Sequence, residues 1–424
     1  MVAAAVLATV TASVGCASGK GTGPQPDAAT GSTGGRQGTG GSGESGGEPG
    51  VTATGGTTGG TTAATGGTTA ATGGTTAGGG TAPGGSSAEG TGGSAGTGGG
   101  GASAQPGTFK VFDRIPMFGM YATTNPTFTP PAGVLMWTFG TVFVVKLSAA
   151  QQAQIGSDLA ARITYHAQCD NYDRIGGVFL LLKSRDQTPD VGDERIELVR
   201  FITPFSDYNR GALSTYVYPD ADLAAYARTL ADTSRDVWIG IAGGSNPYDG
   251  DPCTNAAVTP DFRNVGYKYS LELVSKQPSV PAAGPAAPLT ALSNVAATTV
   301  PIIGTLNNTG GGEIAGMVTV IVSGHGSAAG GHEYRYTQDT VTLNGKQIGS
   351  FSTQTDCAAL ERYSPDGNRG IFRDNAGANP RNWCPGALVP AHTFPATLSA
   401  GRNTVSLGLN ATSVPTGSYY ATSI

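Results

Sequence analysis

Residues 169–174 read CDNYDR, and residues 175–183 follow directly as IGGVFLLLK. The second run is apolar and carries β-branched and aromatic side chains, so it predicts a buried strand, and the polar run before it predicts a loop that leads into that strand. Asp173 and Arg174 are adjacent at the mouth of the strand, and neighbouring side chains on an extended chain point to opposite faces. One of them can therefore serve a cleft while the other anchors the loop.

Runs of the same kind recur along the chain and predict an all-β protein. Proline and glycine interrupt them at short spacing, which is typical of β-sandwiches. Two segments are instead predicted to be helical, residues 149–161, which are rich in Ala and Gln, and residues 222–231. Pro301 limits its strand to a sheet edge, because proline cannot donate to a ladder. The other predicted strands are 141–146, 162–165, 196–202, 237–241, 267–274, 300–303, 317–322, 334–343 and 403–409.

The N-terminal quarter of the chain has a different composition. Residues 1–15 are apolar with small residues at their end, which is typical of a signal peptide. They contain neither Lys nor Arg, so the positively charged start of a signal peptide is missing. The pair Gly15-Cys16 resembles a bacterial lipoprotein cleavage site, with Ser13 in place of the usual leucine. We therefore expect Cys16 to be lipidated and the protein to be exported, at the outer membrane or the cell surface. The alternative is an ordinary signal peptide with an incidental cysteine, and a secreted protein.

Residues 17–107 contain almost only Gly, Thr, Ser and Ala, and ATGGTT recurs at 53–58, 64–69 and 71–76. With so few apolar side chains to bury, this segment is predicted to be a disordered linker. Such a chain has a reach of roughly 50–60 Å and can hold a folded head away from a membrane.

The remaining chain, residues 108–424, is too long for one small core and predicts two domains. Residues 275–288 are rich in proline and lack periodicity, so we place the boundary there, with domains at 108–278 and 279–424. The net charge of −5 is mild and no basic run is present. Nucleic acid is therefore not expected as a partner. We expect the protein to be a monomer.

Three further motifs follow CDNYDR in order: ELVRFITPF at 197–205, GHEY at 331–334 ahead of TVTLNG at 340–345, and NWCPG at 382–386. Together they resemble the peptide-N-glycosidase F family, bacterial amidases that remove N-linked glycans from asparagine, and the resemblance covers residues 108–424. It implies two eight-stranded antiparallel jelly rolls packed side by side. It also implies a hydrolase that acts on an N-glycosylated protein or peptide and uses no cofactor.

The resemblance assigns roles to several residues. Asp173 matches the principal catalytic aspartate of the family, and Glu333 matches a glutamate that organises the water and the sugar. Two positions differ from the family pattern: Ala242 stands where a second glutamate is expected, and no tryptophan precedes His325 in the motif SGHG at 323–326. A surface protein that binds glycoproteins without hydrolysing them is therefore the alternative function. The resemblance implies substrate contacts from Arg174, His325, Arg381 and Trp383.

Five cysteines are present, and four of them lie beyond Cys16. An even number in an exported chain predicts two disulfides, and the residues alone leave three pairings open. The resemblance implies the pair Cys357–Cys384, which leaves Cys169 and Cys253 for a second one. No Cys-x-x-Cys spacing occurs, so the cysteines do not predict a zinc site.

The four histidines bear on a second family with this jelly-roll pair, the ascorbate-dependent copper monooxygenases. Those enzymes take histidines from both domains, whereas the first domain here has only His166. His325, His332 and Glu333 are close in sequence and could in principle hold a metal. The simpler interpretation, which we prefer, makes His325 and His332 loop residues that line a polar cleft.

A cleft between two domains is the natural place for a site. We expect Asp173 and Glu333 to face each other there, with the pKa of at least one carboxyl raised by repulsion and desolvation. Burial of Asp173 in an ion pair would instead favour the binding function.

Overall fold

The structure is a computed structural model, which describes residues 107–119, 124–168, 170, 172–205, 215–245, 265–282, 295–326, 333, 335–364, 381–410, 414 and 418–424. These residues belong to one compact unit. The predictions for the signal peptide, Cys16, the linker, Cys169, Cys253 and His332 lie outside the described residues. Among the residues described, no helix is long and apolar enough to cross a membrane.

The first sandwich consists of two antiparallel sheets. The strands are β1 Thr108–Phe118, β2 Val134–Trp137, β3 Val142–Lys146, β4 Ala160–Ala167, β5 Ile175–Lys183, β6 Ile196–Ile202, β7 Thr215–Val217, β8 Ala221–Asp222, β9 Asp236–Gly243, β10 Val265–Val274 and β16 Leu388–Val389. In one sheet the strand order is β1-β10-β4-β7, with β8 also paired to β4; in the other it is β16-β6-β5-β9-β3-β2.

The second sandwich also has two antiparallel sheets. Its strands are β11 Val295–Ala297, β12 Ile302–Asn308, β13 Ile314–His325, β14 Gln338–Leu343, β15 Lys346–Ser352, β17 Ala391–Leu398, β18 Gly401–Leu409 and β19 Tyr419–Ser423. The strand orders of the two sheets are β11-β19-β13-β17 and β12-β18-β14-β15. Strand β12, which follows Pro301, lies at a sheet edge as predicted.

Both sandwiches have the jelly-roll strand order. Numbered within its sandwich, each pairs the first, eighth, third and sixth strands in one sheet and the second, seventh, fourth and fifth in the other. In the first sandwich this leaves the short strands β2, β8 and β16 as additions at sheet edges. The prediction of an all-β protein built from two eight-stranded jelly rolls is confirmed.

Alternation of side chains along the strands forms the two cores. In β4 every second residue is buried, and Ala161, Ile163 and Tyr165 are fully shielded from solvent. The core of the second sandwich is formed in the same way by residues such as Val320, Val341 and Leu407. Each sandwich therefore buries its own apolar faces, as two facing sheets require.

The two predicted helices are much shorter than expected, and in this respect the prediction was wrong. Helix α1 covers only Ala149–Gln152, where Ser148 and Gln151 form a capping box, and β4 begins at Ala160. Helix α2 covers Ala227–Leu230, after one 3₁₀ turn at Ala224–Tyr226. Burial of residues 160–167 in the sheet outweighs the helical propensity of their alanines, since propensity is a weak preference beside tertiary packing. Two further 3₁₀ segments are Thr138–Gly140 and Ala358–Tyr363.

A segment from late in the chain closes one edge of the first sandwich. Strand β16 pairs with Arg200 and Phe201 of β6, and Gly386 N and Ala387 O bond the backbone of Ile202. The turn before β16 is fastened by the disulfide Cys357–Cys384, the pairing implied by the resemblance. The NWCPG motif thus lies where the two sandwiches meet.

Candidate functional site

The loop before β5 is held in place by a buried aspartate. Asp170 is fully shielded from solvent, its backbone N–H donates to Gly266 O, and its Oδ1 accepts from Tyr172 N at 3.1 Å. An Asx turn of this kind fixes the local backbone. A Cβ at Gly266 would lie 2.1 Å from Ser245 Cβ and 2.9 Å from Asp170 Cβ, so only glycine allows this close approach.

Arg174 is committed mainly to this anchor. Its Nε and Nη2 donate to the Asp170 carboxylate at 2.8 and 3.2 Å, with the arginine side chain 16% exposed and that of Asp170 fully buried. The backbone N–H of Arg174 donates to Thr203 Oγ1 at 2.7 Å. Arg174 also lies over the ring of Tyr172, 5.3 Å from its centroid. The loop is therefore fastened to both β10 and the end of β6.

Asp173 has a different environment from its neighbour. The residue as a whole is half-buried, and its Oδ2 is shielded from solvent with no hydrogen-bond partner among the described residues. Burial raises the pKa of Asp173 to about 7, the Glu333 carboxylate acts in the same direction, and Arg381 and Arg174 act against it. A carboxyl with this pKa exchanges its proton near neutral pH, as a general acid or base must.

Glu333 comes from the second sandwich and is held by the NWCPG motif and its preceding arginine. Its Oε1 lies 3.4 Å from Arg381 Nη2, and its carbonyl oxygen accepts from Arg381 Nε and from Asn382 Nδ2. Arg381 is fully buried, whereas the Glu333 side chain is 19% exposed. Because Glu333 affects the pKa of Asp173, the two carboxyls act on one another across the junction of the sandwiches.

An aromatic stack lies behind this pair. The Arg381 guanidinium lies 4.2 Å from the ring centroid of Trp383, and His325 stacks between Trp383 at 5.4 Å and Tyr419 at 5.2 Å. The indole N–H of Trp383 donates to Gly324 O at 2.7 Å. Burial, with the positive charges of Arg200 and Arg381, lowers the pKa of His325 to about 3, so this imidazole is neutral at physiological pH.

The predicted residues fall into two groups. Asp173, Glu333, Arg381 and Trp383 come together at the junction of the sandwiches, and Arg174 lies beside them in its ion pair. His325 ends strand β13 and is 7% exposed, so it supports the stack from behind rather than lining a loop. Among the described residues, no group of three or more His, Cys, Asp and Glu is arranged to hold a metal ion.

Ala242 lies on β9, opposite Gly177 of β5 and Val142 of β3. It packs against an apolar cluster that includes Phe179 and Trp238. The position therefore lies in an apolar environment, and its residue has no carboxylate.

Two further residues help to hold the site together, and the sequence motifs did not predict their roles. Asn382 bonds both the N–H and the carbonyl of Gly324, and its amide also donates to the carbonyls of Glu333 and Arg335. Asp170 anchors Arg174. Both stand inside the quoted motifs, CDNYDR and NWCPG, so their position was a signal. The role of Asn382, however, depends on Gly324, Glu333 and Arg335, which are far away in sequence.

Residues 314–423 match the family model "Peptide-N-glycosidase F, C terminal". The C-terminal part of the chain is therefore peptide-N-glycosidase F-like. The solved structure of PNGF-II matches the chain with a TM-score of 0.53 and 18% identity, over 74% of this chain and 64% of that chain. At this identity the match shows the shared fold. This chain spans about 64% of the length of PNGF-II.

The structure of PNGase F from Flavobacterium meningosepticum, a glycosylasparaginase, matches with 16% identity and a TM-score of 0.42, over 74% of this chain and 93% of that chain. None of the curated protein sequences matches the chain.

Proposed function

We propose that this protein is an amidase that hydrolyses the bond between a glycan and an asparagine side chain in glycoproteins. The observation that carries the proposal is the pKa of Asp173, which burial and the negative charge of Glu333 raise to about 7. Two carboxyl groups with different environments are a common basis for acid–base chemistry at neutral pH. The peptide-N-glycosidase F-like fold and the family match over residues 314–423 add support.

The four charged residues of the site each have a role in this reaction. Water adds to the amide carbonyl carbon, the C–N bond breaks, and the nitrogen leaves as a glycosylamine after it takes a proton; asparagine becomes aspartate. Asp173 moves the proton, because its Oδ2 lacks a partner in the described structure and its pKa lies near neutrality. Arg174 and Arg381 supply positive potential next to Asp173, where negative charge develops on the amide oxygen. Glu333, held by Arg381 and partly exposed, orients the water or the first sugar.

Ala242 favours a second candidate function, a surface protein that binds glycoproteins without turnover. This position has no carboxylate, and its neighbours on β3 and β5 are Val142 and Gly177. If a second acid from the first sandwich is indispensable, the site binds and does not hydrolyse.

One experiment separates the two functions. Residues 108–424 of wild type, Asp173→Asn and Glu333→Gln are incubated with an N-glycosylated peptide in ¹⁸O-labelled water, and the peptide is analysed by mass spectrometry. The amidase predicts one ¹⁸O in the new aspartate for wild type, a loss of orders of magnitude in Asp173→Asn, and a smaller loss in Glu333→Gln. Binding of the glycopeptide by calorimetry without ¹⁸O incorporation in wild type would establish the binding function instead.

We also propose that the protein is exported and anchored by a lipid at Cys16. The support is the pair Gly15-Cys16 behind an apolar run and ahead of a long Gly/Thr/Ser segment. After expression in a Gram-negative host, the wild type is expected in the membrane fraction and Cys16→Ser in the soluble one. Equal membrane association of the two would refute the anchor.

A further inference from the structure

A fully buried arginine joins the two sandwiches. Arg200 lies on β6, and its Nε and Nη2 donate to the Glu197 carboxylate at 2.9 and 2.6 Å. Its Nη1 donates to Ser323 Oγ at 3.1 Å and to the carbonyl of Ala421, while Nη2 also reaches Ser423 Oγ at 3.4 Å. Glu197 belongs to the first sandwich and the other three partners belong to β13 and β19 of the second. The Arg200 side chain therefore forms hydrogen bonds to both sandwiches at once.

A β-bulge makes this arrangement possible. Residues three apart on a regular strand point to opposite faces. In the pairing of β6 with β5 the register shifts between Val178 and Phe179, which face Val199 and Glu197. Leu198 is thereby accommodated as an extra residue, and both it and Val199 point into the core. The bulge re-aims Glu197 onto the outer face, beside Arg200.

On one side, Arg200 is coupled to the loop that bears Asp173. Arg200 pairs with Gly177 of β5, the strand that begins two residues after Asp173. Three residues after Arg200, Thr203 Oγ1 accepts from Arg174 N and donates to the carbonyl of Tyr172 at 3.1 Å. A shift of β6 therefore moves the loop.

On the other side, Arg200 is coupled to Glu333. Its partner Ser323 precedes Gly324, and both the N–H and the carbonyl of Gly324 bond the side chain of Asn382. Asn382 then donates to the carbonyl of Glu333 at 3.3 Å. Ser323 Oγ also hydrogen-bonds His325 Nε2 at 2.8 Å, at the back of the aromatic stack.

We propose that the Arg200–Glu197 pair is a positioning device, which sets the separation of Asp173 and Glu333 by fixing β6 against β13 and β19. The proposal rests on the proposed amidase function. Neither residue has to touch the substrate. A misplacement of about 1 Å at a reacting group is enough to slow a reaction on the order of a hundredfold.

The pKa of Asp173 is sensitive to the separation between Asp173 and Glu333. The groups that act on its pKa are Glu333, which raises it, and Arg381 and Arg174, which lower it; burial is the largest influence and raises it. If the sandwiches separate slightly, Asp173 gains water and loses the repulsion from Glu333. Arg381 moves away together with Glu333 and offsets part of this change. The pKa of Asp173 then falls towards that of an ordinary aspartate.

The test uses the double variant Glu197→Gln/Arg200→Met in residues 108–424. Replacing both members of a buried ion pair leaves no charge stranded, so the fold is expected to be kept. We expect kcat to fall about a hundredfold with a smaller change in KM. We also expect the ¹³C carboxyl resonance of Asp173 in the double variant to titrate at lower pH than in wild type. This resonance is assigned by its absence from the spectrum of Asp173→Asn.

Arg200→Lys is the graded variant. A lysine keeps the charge but cannot reproduce the planar fork that serves Glu197 and Ser323 together, so it should lie between wild type and the double variant in both readouts. Ser323→Ala, which removes one of the bonds across the junction, should shift both readouts in the same direction by less, and it replaces the double variant if that one does not fold.

The matched control is Leu273→Ala, in the core of the first sandwich and remote from the junction. It should lower the melting temperature while leaving kcat and the titration of Asp173 unchanged. An unchanged Asp173 titration and kcat in the double variant would overturn the proposal. If wild type does not hydrolyse the glycopeptide, the amidase function fails, while the titration still decides whether Arg200 positions the two carboxyls.

Discussion

Asp173→Asn is expected to make the protein more stable at alkaline pH although it removes the proposed activity. Burial raises the pKa of Asp173 from 3.8 to about 7, with a further contribution from Glu333. The folded state therefore holds this proton more tightly than the unfolded chain. Its contribution to stability is fully present below pH 3.8 and is lost as the pH rises through about 7.

The pKa difference sets the magnitude. At about 1.4 kcal/mol per pH unit, a rise from 3.8 to about 7 corresponds to at most about 4 kcal/mol at pH 8. Asn resembles the protonated acid and escapes this loss, so the free energy of unfolding of Asp173→Asn should exceed that of wild type at pH 8 by up to this amount. The advantage should shrink steadily towards pH 4.

Urea unfolding of residues 108–424 at pH 4, 5.5, 7 and 8 measures the difference. Asp236→Asn is the control of opposite sign, since a hydrogen bond from Lys146 holds the pKa of Asp236 below its usual range. That variant should be destabilised at pH 7 and approach wild type in acid. The reasoning is refuted if Asp173→Asn is no more stable than wild type at pH 8, or if its advantage is the same at every pH.

Three further predictions concern the scaffold. Asp339 is buried in the second sandwich and burial raises its pKa to about 7, so Asp339→Asn should flatten the loss of stability between pH 4 and 8, as followed by thermal melting in buffers of matched ionic strength. Replacing Cys357 and Cys384 by alanine opens a loop of 27 residues and should lower the free energy of unfolding by about 3–4 kcal/mol; denaturant midpoints that match those of the oxidised protein would contradict this. Gly240→Ala places a Cβ 2.1 Å from the Phe179 ring and should destabilise the first sandwich by about 1–3 kcal/mol, whereas Gly192→Ala, with no atom within 4 Å, serves as the neutral control in the same melts.

The strands were predictable where runs of apolar, β-branched and aromatic residues stand between turn-forming residues. Strand β6 occupies Ile196–Ile202 as predicted, and β10 was recognised from residues 267–274. The segment 149–161 failed because alanine favours helices in isolation, whereas neighbouring strands, which a single-sequence window cannot contain, decided its state.

The site was predictable only in part. The motifs pointed to Asp173 and Glu333. The expectation that one member of the adjacent pair Asp173-Arg174 anchors the loop agrees with the ion pair between Arg174 and Asp170. The partner of Arg174, buried Asp170, was in plain view in CDNYDR. The bulge that aims Glu197 at Arg200 was not, because a period of two places these residues on opposite faces, and no local pattern marked the extra residue.

Strand β16 has a consequence for how the chain acquires its structure during synthesis. Almost all strands of the first sandwich lie before residue 275, yet the edge of β6 receives its last partner from residues 388–389. A ribosome therefore releases β6 long before its cover exists, and an open edge invites pairing with other chains. Fragments of the chain that end before residue 388 keep this edge of β6 open. A frameshift that removes β16 would thus leave the first sandwich prone to aggregation through the open edge of β6.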